Sequence, residues 1–230
     1  MRKHVIVTVF VFLLSTVALS SLCYGTDELN LSATVLVTGF EPFNGYNVNP
    51  AQLIAESLNG QMINNVSIVG LSVPVEWNES ISVVTQAVED VKPIAVISIG
   101  LAPSSWFIRV EKIGLNIRCM PGDNGKRYVF SKVEPDGPPL LVTDIPTHYI
   151  AKEIRKSGIP ARQSFFAGTY ICNNLFYGLL KYKQDSNPDL KVCFVHVSPL
   201  KSMDLKNGMS LEEMTKAVKL VITLILEEMN

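Results

Sequence analysis

Short apolar runs rich in β-branched residues alternate with amphipathic stretches along most of this chain. Residues 33–40 and 94–100 have the composition of buried strands, whereas residues 50–58 and the segment after Ser210 repeat apolar residues at helical spacing. Strands that alternate with helices are typical of βα units around a parallel sheet. The pattern therefore predicts one α/β domain with a mostly parallel sheet.

Residues that favour helix starts mark several boundaries. Pro50 suits the first position of a helix, and either Asn78 or Ser80 can cap the next helix. Ser210 and Glu213 form a capping box, in which the two side chains bond each other's backbone N–H groups. The helix after Ser210 ends in the apolar stretch LVITLIL, which is too short to span a bilayer and so belongs to the core or to a subunit interface.

Three segments add detail to this alternation. Residues 107–117 alternate in the manner of an antiparallel or edge strand, and residues 161–167 (ARQSFFA) predict a further strand. The Gly- and Pro-rich region from Met120 to Pro139 predicts a long surface loop, with room for a short hairpin around RYVFSKV.

The charge balance excludes one class of partner. The 230 residues include 20 lysines and arginines against 21 aspartates and glutamates, so the net charge is −1. The basic residues are scattered, without the basic block or the RNA-binding signature of a nucleic-acid-binding domain. We therefore expect no nucleic acid partner, and a small neutral or peptide ligand instead.

The N-terminus has the layout of a secretory signal. Arg2 and Lys3 precede a long apolar run, and small residues follow it. Residues 1–25 are therefore predicted to be a signal peptide, cleaved after Ser20 or Gly25, with an uncleaved membrane anchor as the alternative. A functioning leader would export the protein, either secreted or anchored on the outer side of a membrane.

Cys172 is distinguished from the other cysteines by its place at the start of a predicted helix. Thr169 can cap this helix, which puts Cys172 in the first turn, where free N–H groups and the helix dipole favour a thiolate. Cys119, Cys172 and Cys193 follow the leader. Because three is an odd number, at least one thiol stays free unless it pairs with Cys23 or another chain. Cys172 is a candidate nucleophile, and a small buried core residue is the alternative.

His196 is expected at the same edge of the sheet as Cys172. In the run KVCFVHVS, Phe194 and His196 face one side and Cys193 faces the other, and His196 lies near the carboxyl end of the strand. Ligands bind beyond the carboxyl ends of strands in open α/β sheets. A cysteine and a histidine at this edge suit nucleophilic catalysis, with a hydrogen-bonded core histidine as the alternative.

A third group should orient the imidazole of such a pair. Glu111, in the segment RVEKIG, is a carboxylate flanked by apolar residues and is the natural candidate. The alternative is that Glu111 forms a surface ion pair with Arg109 or Lys112. No metal or organic cofactor is expected, because no pair of His and Cys residues has zinc-ligand spacing.

Four segments resemble, in their order and spacing, the pyroglutamyl-peptidase I family of cysteine peptidases. They are VLVTGFEPFNGYNVNP, GLAP followed by VEKIGLN, GIPARQSFFAGTYICNNLFYGLL, and FVHVSPL. The resemblance implies a single α/β domain over residues 33–230, with a twisted central sheet flanked by helices on both faces. It also implies that Cys172 is the nucleophile, His196 the general base and acid, and Glu111 the group that orients the histidine.

This family removes an N-terminal pyroglutamate, a five-membered lactam, from peptides or proteins. Such a ring needs apolar walls and a few amide partners. Phe40 and Phe43 match the family's ring-contacting phenylalanines, and Tyr170 and Ile171 fall where the pocket wall beside the nucleophile is expected. The family also suggests a homo-oligomer, a dimer or tetramer, and is typically cytosolic.

The chain departs from the family's pattern in two loops. Many members have Gly-Gly-Arg where this chain has Pro103, Ser104 and Ser105, and the arginine of a RIPDN segment is missing from CMPGDN unless Arg118 substitutes for it. A relative that binds pyroglutamyl peptides but has lost turnover is therefore the alternative function. A serine hydrolase that uses Ser104 or Ser105 is a third hypothesis, although the G-x-S-x-G context is absent.

Overall fold

The computed structural model describes residues 33–121, 128–203, 205 and 208–229, so the predicted leader at residues 1–25 lies outside the described residues. Its strands are β1 (Thr34–Phe40), β2 (Met62–Ile63), β3 (Val66–Val73), β4 (Ala95–Leu101), β5 (Ile108–Glu111), β6 (Ile113–Leu115), β7 (Arg118–Pro121), β8 (Tyr128–Ser131), β9 (Leu140–Val142), β10 (Ala161–Ser164) and β11 (Lys191–Val197). Its helices are α1 (Pro50–Leu58), α2 (Trp77–Val91), α3 (Thr147–Lys156), α4 (Ile171–Ser186) and α5 (Leu211–Glu228). None of these helices is long and apolar enough to cross a membrane.

The centre of the domain is a seven-stranded sheet in the order β10-β5-β11-β4-β1-β3-β2. Four neighbouring pairs are parallel, whereas β5 runs antiparallel to β11 and β2 runs antiparallel to β3. The predicted α/β fold with a mostly parallel sheet is confirmed. The antiparallel reading of residues 107–117 is also confirmed for β5, but an edge position is wrong, because β10 pairs along the other side of this strand.

Helices cover both faces of the sheet, each face over its own apolar core. α1, α3 and α5 pack on one face with side chains such as Ile154 and Val221. α2 and α4 pack on the other face with side chains such as Phe176. Alternate residues of β11 enter the two cores, because Cys193 belongs to the first and Phe194 to the second. The sidedness predicted for this strand is therefore correct.

The first residues of α1, α2 and α5 can be compared with the capping residues predicted from the sequence. Pro50 occupies the first position of α1, and Ser210 and Glu213 form the predicted capping box of α5. α2 begins earlier than expected, at Trp77, so a cap at Asn78 or Ser80 is wrong. The hydroxyl of Ser80 donates to the carbonyl of Trp77 inside the helix, at 3.2 Å, and cannot cap it. The residue that precedes α2 is Glu76, whose side chain makes no capping bond.

Three other segments had structures predicted from the sequence: the loop after Met120, residues 161–167 and the end of α5. β7 and β8 pair antiparallel, so the RYVFSKV stretch supplies one strand of a two-stranded sheet, whereas the other strand begins before the predicted loop, at Arg118. The strand predicted over residues 161–167 ends at Ser164, because Phe165 and Phe166 turn outward and are more than half exposed, at 59% and 53%. The apolar end of α5 is mainly core, since its residues from Val221 to Leu226 are buried except at Thr223.

Candidate active site

A cavity of about 560 Å³ opens at the carboxyl ends of β1, β4 and β11, beside the start of α4. Its lining residues are Phe40, Phe43, Val75, Leu101, Ala102, Pro103, Ser104, Ser105, Trp106, Phe107, Arg109, Phe166, Ala167, Gly168, Tyr170, Ile171, Cys172 and His196. The cavity therefore lies at the sheet edge where α/β folds bind their ligands.

Cys172 is the second residue of α4, in its first turn as the sequence predicts. The residue before the helix is Tyr170, whose side chain makes no capping bond, so the predicted cap at Thr169 is wrong. The sulfur of Cys172 packs against Gly100 of β4, where an added Cβ would stand only 2.8 Å from it. Gly100 pairs with His196 across β4 and β11, so the thiol lies over the strand position next to the imidazole.

The electrostatics of the Cys172 thiol differ from the expectation for a helix start. Burial raises the pKa of this thiol to about 12, with the Glu111 carboxylate acting in the same direction and Arg109 against it. The expected lowering of the pKa is therefore wrong for the protein without substrate. Loss of hydration outweighs the helix dipole, because the charged form is penalised wherever water is removed from it.

Glu111 and His196 form a buried pair across β5 and β11. Glu111 is fully buried and His196 is 4% exposed, and Oε1 of the carboxylate lies 2.8 Å from Nδ1 of the imidazole. An ionised carboxylate only accepts hydrogen bonds, so Nδ1 carries the proton of this bond. The other ring nitrogen, Nε2, is then the one available to exchange a proton with a neighbouring group.

Arg109 belongs to the same cluster and was not predicted to be part of the site. Its Nη2 atom lies 3.1 Å from Oε1 of Glu111 and also donates to Ser164 Oγ and to the carbonyl of Phe166. Glu111 does pair with Arg109, but the alternative of a surface ion pair is wrong because the carboxylate is buried. Arg109 and Glu111 are two residues apart on one strand and so share a face, which is the sequence signal that could have found Arg109.

The four residues predicted to hold a pyroglutamyl ring all line the cavity. Phe40 and Ile171 are buried and form its apolar floor, at 2% and 3% exposure. Phe43 is half-buried, and Tyr170 is 45% exposed with its ring edge-to-face on Trp77, at 5.1 Å between centroids. An apolar pocket lies next to Cys172.

Asn173 fastens the start of α4 to the chain that follows Glu111. Its Oδ1 accepts from the N–H of Leu115 at 2.9 Å, and its Nδ2 donates to the carbonyls of Leu115 and Ile117 at 2.9 and 2.8 Å. The side chain is fully buried, so each of these bonds would be costly to lose. Asn173 thus holds the first turn against β6 and the residues after it.

Two other hypotheses from the sequence concern Arg118 and Ser105. Arg118 bonds to Ser131 and Asn78 and does not line the cavity, so it does not substitute there for the missing arginine. The hydroxyl of Ser105 donates to the carbonyl of Phe107 at 2.7 Å. This bond ties the hydroxyl to its own turn, and no hydrogen bond from a histidine to this hydroxyl is found in the described part of the chain, so nothing there activates it as a nucleophile.

Trp106, Phe107 and Phe166 also line the cavity, and sequence reasoning had not placed them there. Trp106 and Phe166 are about half exposed, at 49% and 53%. Within the described residues, no group of three or more His, Cys, Asp or Glu side chains is placed to hold a metal ion.

Known proteins of one family resemble this chain. The family model for pyroglutamyl peptidase matches residues 33–228. The pyrrolidone-carboxylate peptidase of Thermoanaerobacter pseudethanolicus is 36% identical over 197 residues, 83% of this chain and 97% of the relative. Pyrrolidone-carboxylate peptidase 1 of Saccharolobus solfataricus is 37% identical over 204 residues, 86% of this chain and 96% of the relative.

Solved structures show the same likeness. The crystal structure of pyroglutamyl peptidase I from Bacillus amyloliquefaciens superposes with a TM-score of 0.78 at 32% identity, covering 84% of this chain and 96% of that one. The pyrrolidone carboxyl peptidase from Thermococcus litoralis superposes with a TM-score of 0.80 at 32% identity, covering 86% and 94%. With the family model matched over nearly the whole described domain, this chain belongs to the pyroglutamyl peptidase family.

Proposed function

We propose that this protein is a cysteine exopeptidase that hydrolyses the amide bond after an N-terminal pyroglutamyl residue of peptides or proteins. The observation that carries the proposal is the buried Glu111–His196 pair, 2.8 Å apart, which reaches the same cavity as Cys172 in a chain of the pyroglutamyl peptidase family. No step of this chemistry requires a metal or an organic cofactor.

The pyroglutamyl ring binds among Phe40, Phe43, Tyr170 and Ile171 in this proposal. A lactam carries no charged amine, so apolar walls can desolvate it without leaving a buried charge unpaired. An ordinary N-terminal residue brings an ammonium group instead. Among the described residues that line the cavity none is acidic, so such a group would find no counterion there. The pocket therefore favours a cyclised N-terminus over an open one.

Acylation begins from a neutral thiol, because the pKa of Cys172 is raised. Nε2 of His196 takes the thiol proton as the sulfur attacks the carbonyl carbon of the pyroglutamyl group. Glu111 holds the imidazole in the required tautomer and stabilises the imidazolium that forms. The backbone N–H groups in the first turn of α4 stabilise the oxyanion that develops on the carbonyl oxygen.

The C–N bond then breaks, and His196 returns its proton to the departing amine. The pyroglutamyl group remains on Cys172 as a thioester. A water molecule, deprotonated by His196, attacks this thioester and releases pyroglutamate, and the sulfur regains a proton. Arg109 remains paired with Glu111 throughout and offsets the charge of the buried carboxylate.

The test is hydrolysis of a fluorogenic pyroglutamyl amide by the purified domain and by Cys172→Ala. We expect turnover in the parent protein and a loss of roughly 10⁶-fold in the variant, since removing a nucleophile removes the covalent route. Cys119→Ser is the matched control, because Cys119 does not line the cavity and its loss should leave turnover unchanged. Full activity in Cys172→Ala would contradict the proposal, and no turnover by the folded parent protein would favour a relative that only binds.

We also propose that the protein is exported and that it forms a homo-oligomer. Export rests on the basic and apolar pattern of residues 1–25 alone, and a homo-oligomer rests on the family resemblance. N-terminal sequencing of the protein from fractionated cells tests the first, and an intact leader in the cytosolic fraction would contradict it. Light scattering on the purified domain tests the second, and a monomer at assay concentration would contradict it.

A further inference from the structure

We infer that the segment from Ala102 to Phe107, with Trp106 at its exposed end, forms a subsite for the residue that follows pyroglutamate, and that this subsite favours an apolar or aromatic side chain. The inference rests on the proposed function. It concerns a part of the cavity that the binding of the lactam ring leaves unexplained.

The cavity is larger than a five-membered ring requires. Cavities of roughly 300–1,000 Å³ hold drug-sized ligands, and this one measures about 560 Å³. The four residues proposed to hold the ring form only part of its lining. Much of the remainder comes from residues 102–107 together with Phe166, which supply a second group of aromatic side chains.

Residues 102–107 are anchored on the His196 side of the cavity. The N–H of Ala102 donates to the carbonyl of Val197, at 2.9 Å, directly after His196. The hydroxyl of Ser198 donates to the carbonyl of Ser105 at 2.8 Å. Because His196 protonates the departing amine, the residue that carries this amine lies on the same side. That residue is therefore next to the segment that ends in Trp106 and Phe107.

Trp106 is exposed but held in a defined position. Its ring packs edge-to-face on Phe107, with 5.3 Å between centroids. The guanidinium of Arg162 lies 4.9 Å from the centroid of the Phe107 ring and 6.0 Å from that of Trp106. A rigid aromatic ring loses little conformational entropy when it binds a partner. An exposed tryptophan on the rim of an apolar cavity is thus suited to cover an apolar side chain.

The charges at the cavity argue for an apolar side chain over a basic one. Arg109 lines the cavity and is already paired with Glu111, while no acidic residue is among the described lining residues. A lysine or arginine in the substrate would lose hydration without gaining a counterion. The subsite should therefore discriminate against basic residues in the position after pyroglutamate.

The experiment compares tripeptides of the form pyroglutamyl-X-glycine, with X as Phe, Leu, Ala or Lys, and measures release of the X-glycine amine. We expect kcat/KM to be about tenfold higher for Phe and Leu than for Ala and Lys, the discrimination that a few methylene groups give in an apolar pocket. Trp106→Ala should lower kcat/KM about tenfold for Phe and Leu and change it less than about twofold for Ala. Trp106→Phe should retain most of the preference.

Tyr149→Ala is the matched control, because Tyr149 is an aromatic residue of equal exposure, 49%, on α3 and does not line the cavity. It should leave all four rates unchanged. Equal rates for all four peptides in the parent protein, or an equal loss for all four in Trp106→Ala, would overturn the subsite and leave the proposed function standing. If the folded parent protein cleaves none of the peptides, both the function and the subsite are overturned.

Discussion

The Glu111–His196 pair and the thiol of Cys172 reach one cavity from parts of the fold that hold them differently. The pair lies on two adjacent strands, is almost fully buried and is joined by a hydrogen bond of 2.8 Å. The thiol lies on the first turn of a helix, positioned by the bonds of Asn173 and by close packing against Gly100.

The strand pair and the thiol are both held in position by the fold, but they differ in how readily they ionise. Sheet register fixes the carboxylate and the imidazole before any substrate arrives, so little reorganisation remains for the reaction. The thiol is equally well placed, but burial holds its pKa near 12 and keeps it protonated. In this account the strands supply a ready base, and the helix supplies a nucleophile that ionises only when the base acts on it.

Breaking the strand pair should have a large effect, second only to the loss of Cys172. Glu111→Gln should lower kcat roughly 10⁴-fold, about a hundredfold less than loss of the nucleophile, because the orienting group takes no part in bond making. The amide lacks the charge that stabilises an imidazolium and faces Arg109 without a carboxylate. Steady-state kinetics on a pyroglutamyl amide measures the effect.

Glu153→Gln is the matched control for this substitution. Glu153 forms an ion pair with Lys156 on α3, outside the cavity, and its loss should leave kcat unchanged. Unchanged activity in Glu111→Gln would mean that another group orients His196. A loss equal to that of Cys172→Ala, with the fold intact, would show a larger role for the carboxylate.

A smaller effect is expected from displacing the thiol without removing it. Gly100→Ala would place a Cβ 2.8 Å from the sulfur of Cys172 and 3.1 Å from the ring of Phe194. A shift of about 1 Å in a reacting atom can cost about a hundredfold in rate, so we expect kcat to fall roughly tenfold to a hundredfold. The melting temperature should fall as well, because overpacking a core costs about 1–3 kcal/mol.

Gly178→Ala is a control that distinguishes the loss of kcat from the loss of stability. A Cβ at Gly178 would meet Ile81 at 2.7 Å, an equally tight contact between α4 and α2, but it would not touch the thiol. This variant should lose stability, as Gly100→Ala does, but its kcat should remain unchanged. If both variants lose kcat in proportion to their loss of stability, the contact between Gly100 and the sulfur has no special role.

The effect most specific to the helix region is the pH dependence of thiol alkylation, which leaves turnover itself unchanged. Below a thiol's pKa the thiolate fraction rises tenfold per pH unit, so the rate of Cys172 alkylation by iodoacetamide should rise about tenfold per unit from pH 7 to 9 without a plateau. This sign follows from the raised pKa. A rate that is already constant below pH 7 would show a thiolate in the resting protein.

The same raised pKa changes the expected redox behaviour. A low-pKa thiolate at Cys172 would be readily oxidised, and full activity would then need a reductant. With the thiol protonated, oxidation should be slow. Cys193 is buried in the opposite core and its pKa is also raised by burial, to about 12, so it is poorly placed to bridge to Cys172.

Local signals made the fold predictable from the sequence. The alternating strands and helices, Pro50 at the start of α1 and the Ser210–Glu213 capping box all depend on neighbours a few residues apart. The position of Cys172 in the first turn of a helix and the sidedness of β11 were predictable for the same reason.

The features that the sequence did not reveal depend on distant parts of the chain. The thiol's pKa follows from packing among strands and a helix, whereas its helix position alone pointed the other way. Arg109 lies on the same face of β5 as Glu111, but its other partners, Ser164 and the carbonyl of Phe166, lie at the end of β10 and just after it. Trp106 lines the cavity because residues 102–107 bond to the end of β11, a contact with no periodic signature.

The central claim is that Cys172 becomes acylated by the pyroglutamyl group. The most direct measurement mixes the protein with a pyroglutamyl amide, quenches with acid during turnover and maps the covalent adduct by peptide mass spectrometry. We expect one added pyroglutamyl group on the peptide that contains Cys172, and none on the peptides with Cys119, Cys193 or Ser105. Turnover with an adduct on any other residue, or turnover by Cys172→Ala at the parent rate, would contradict it.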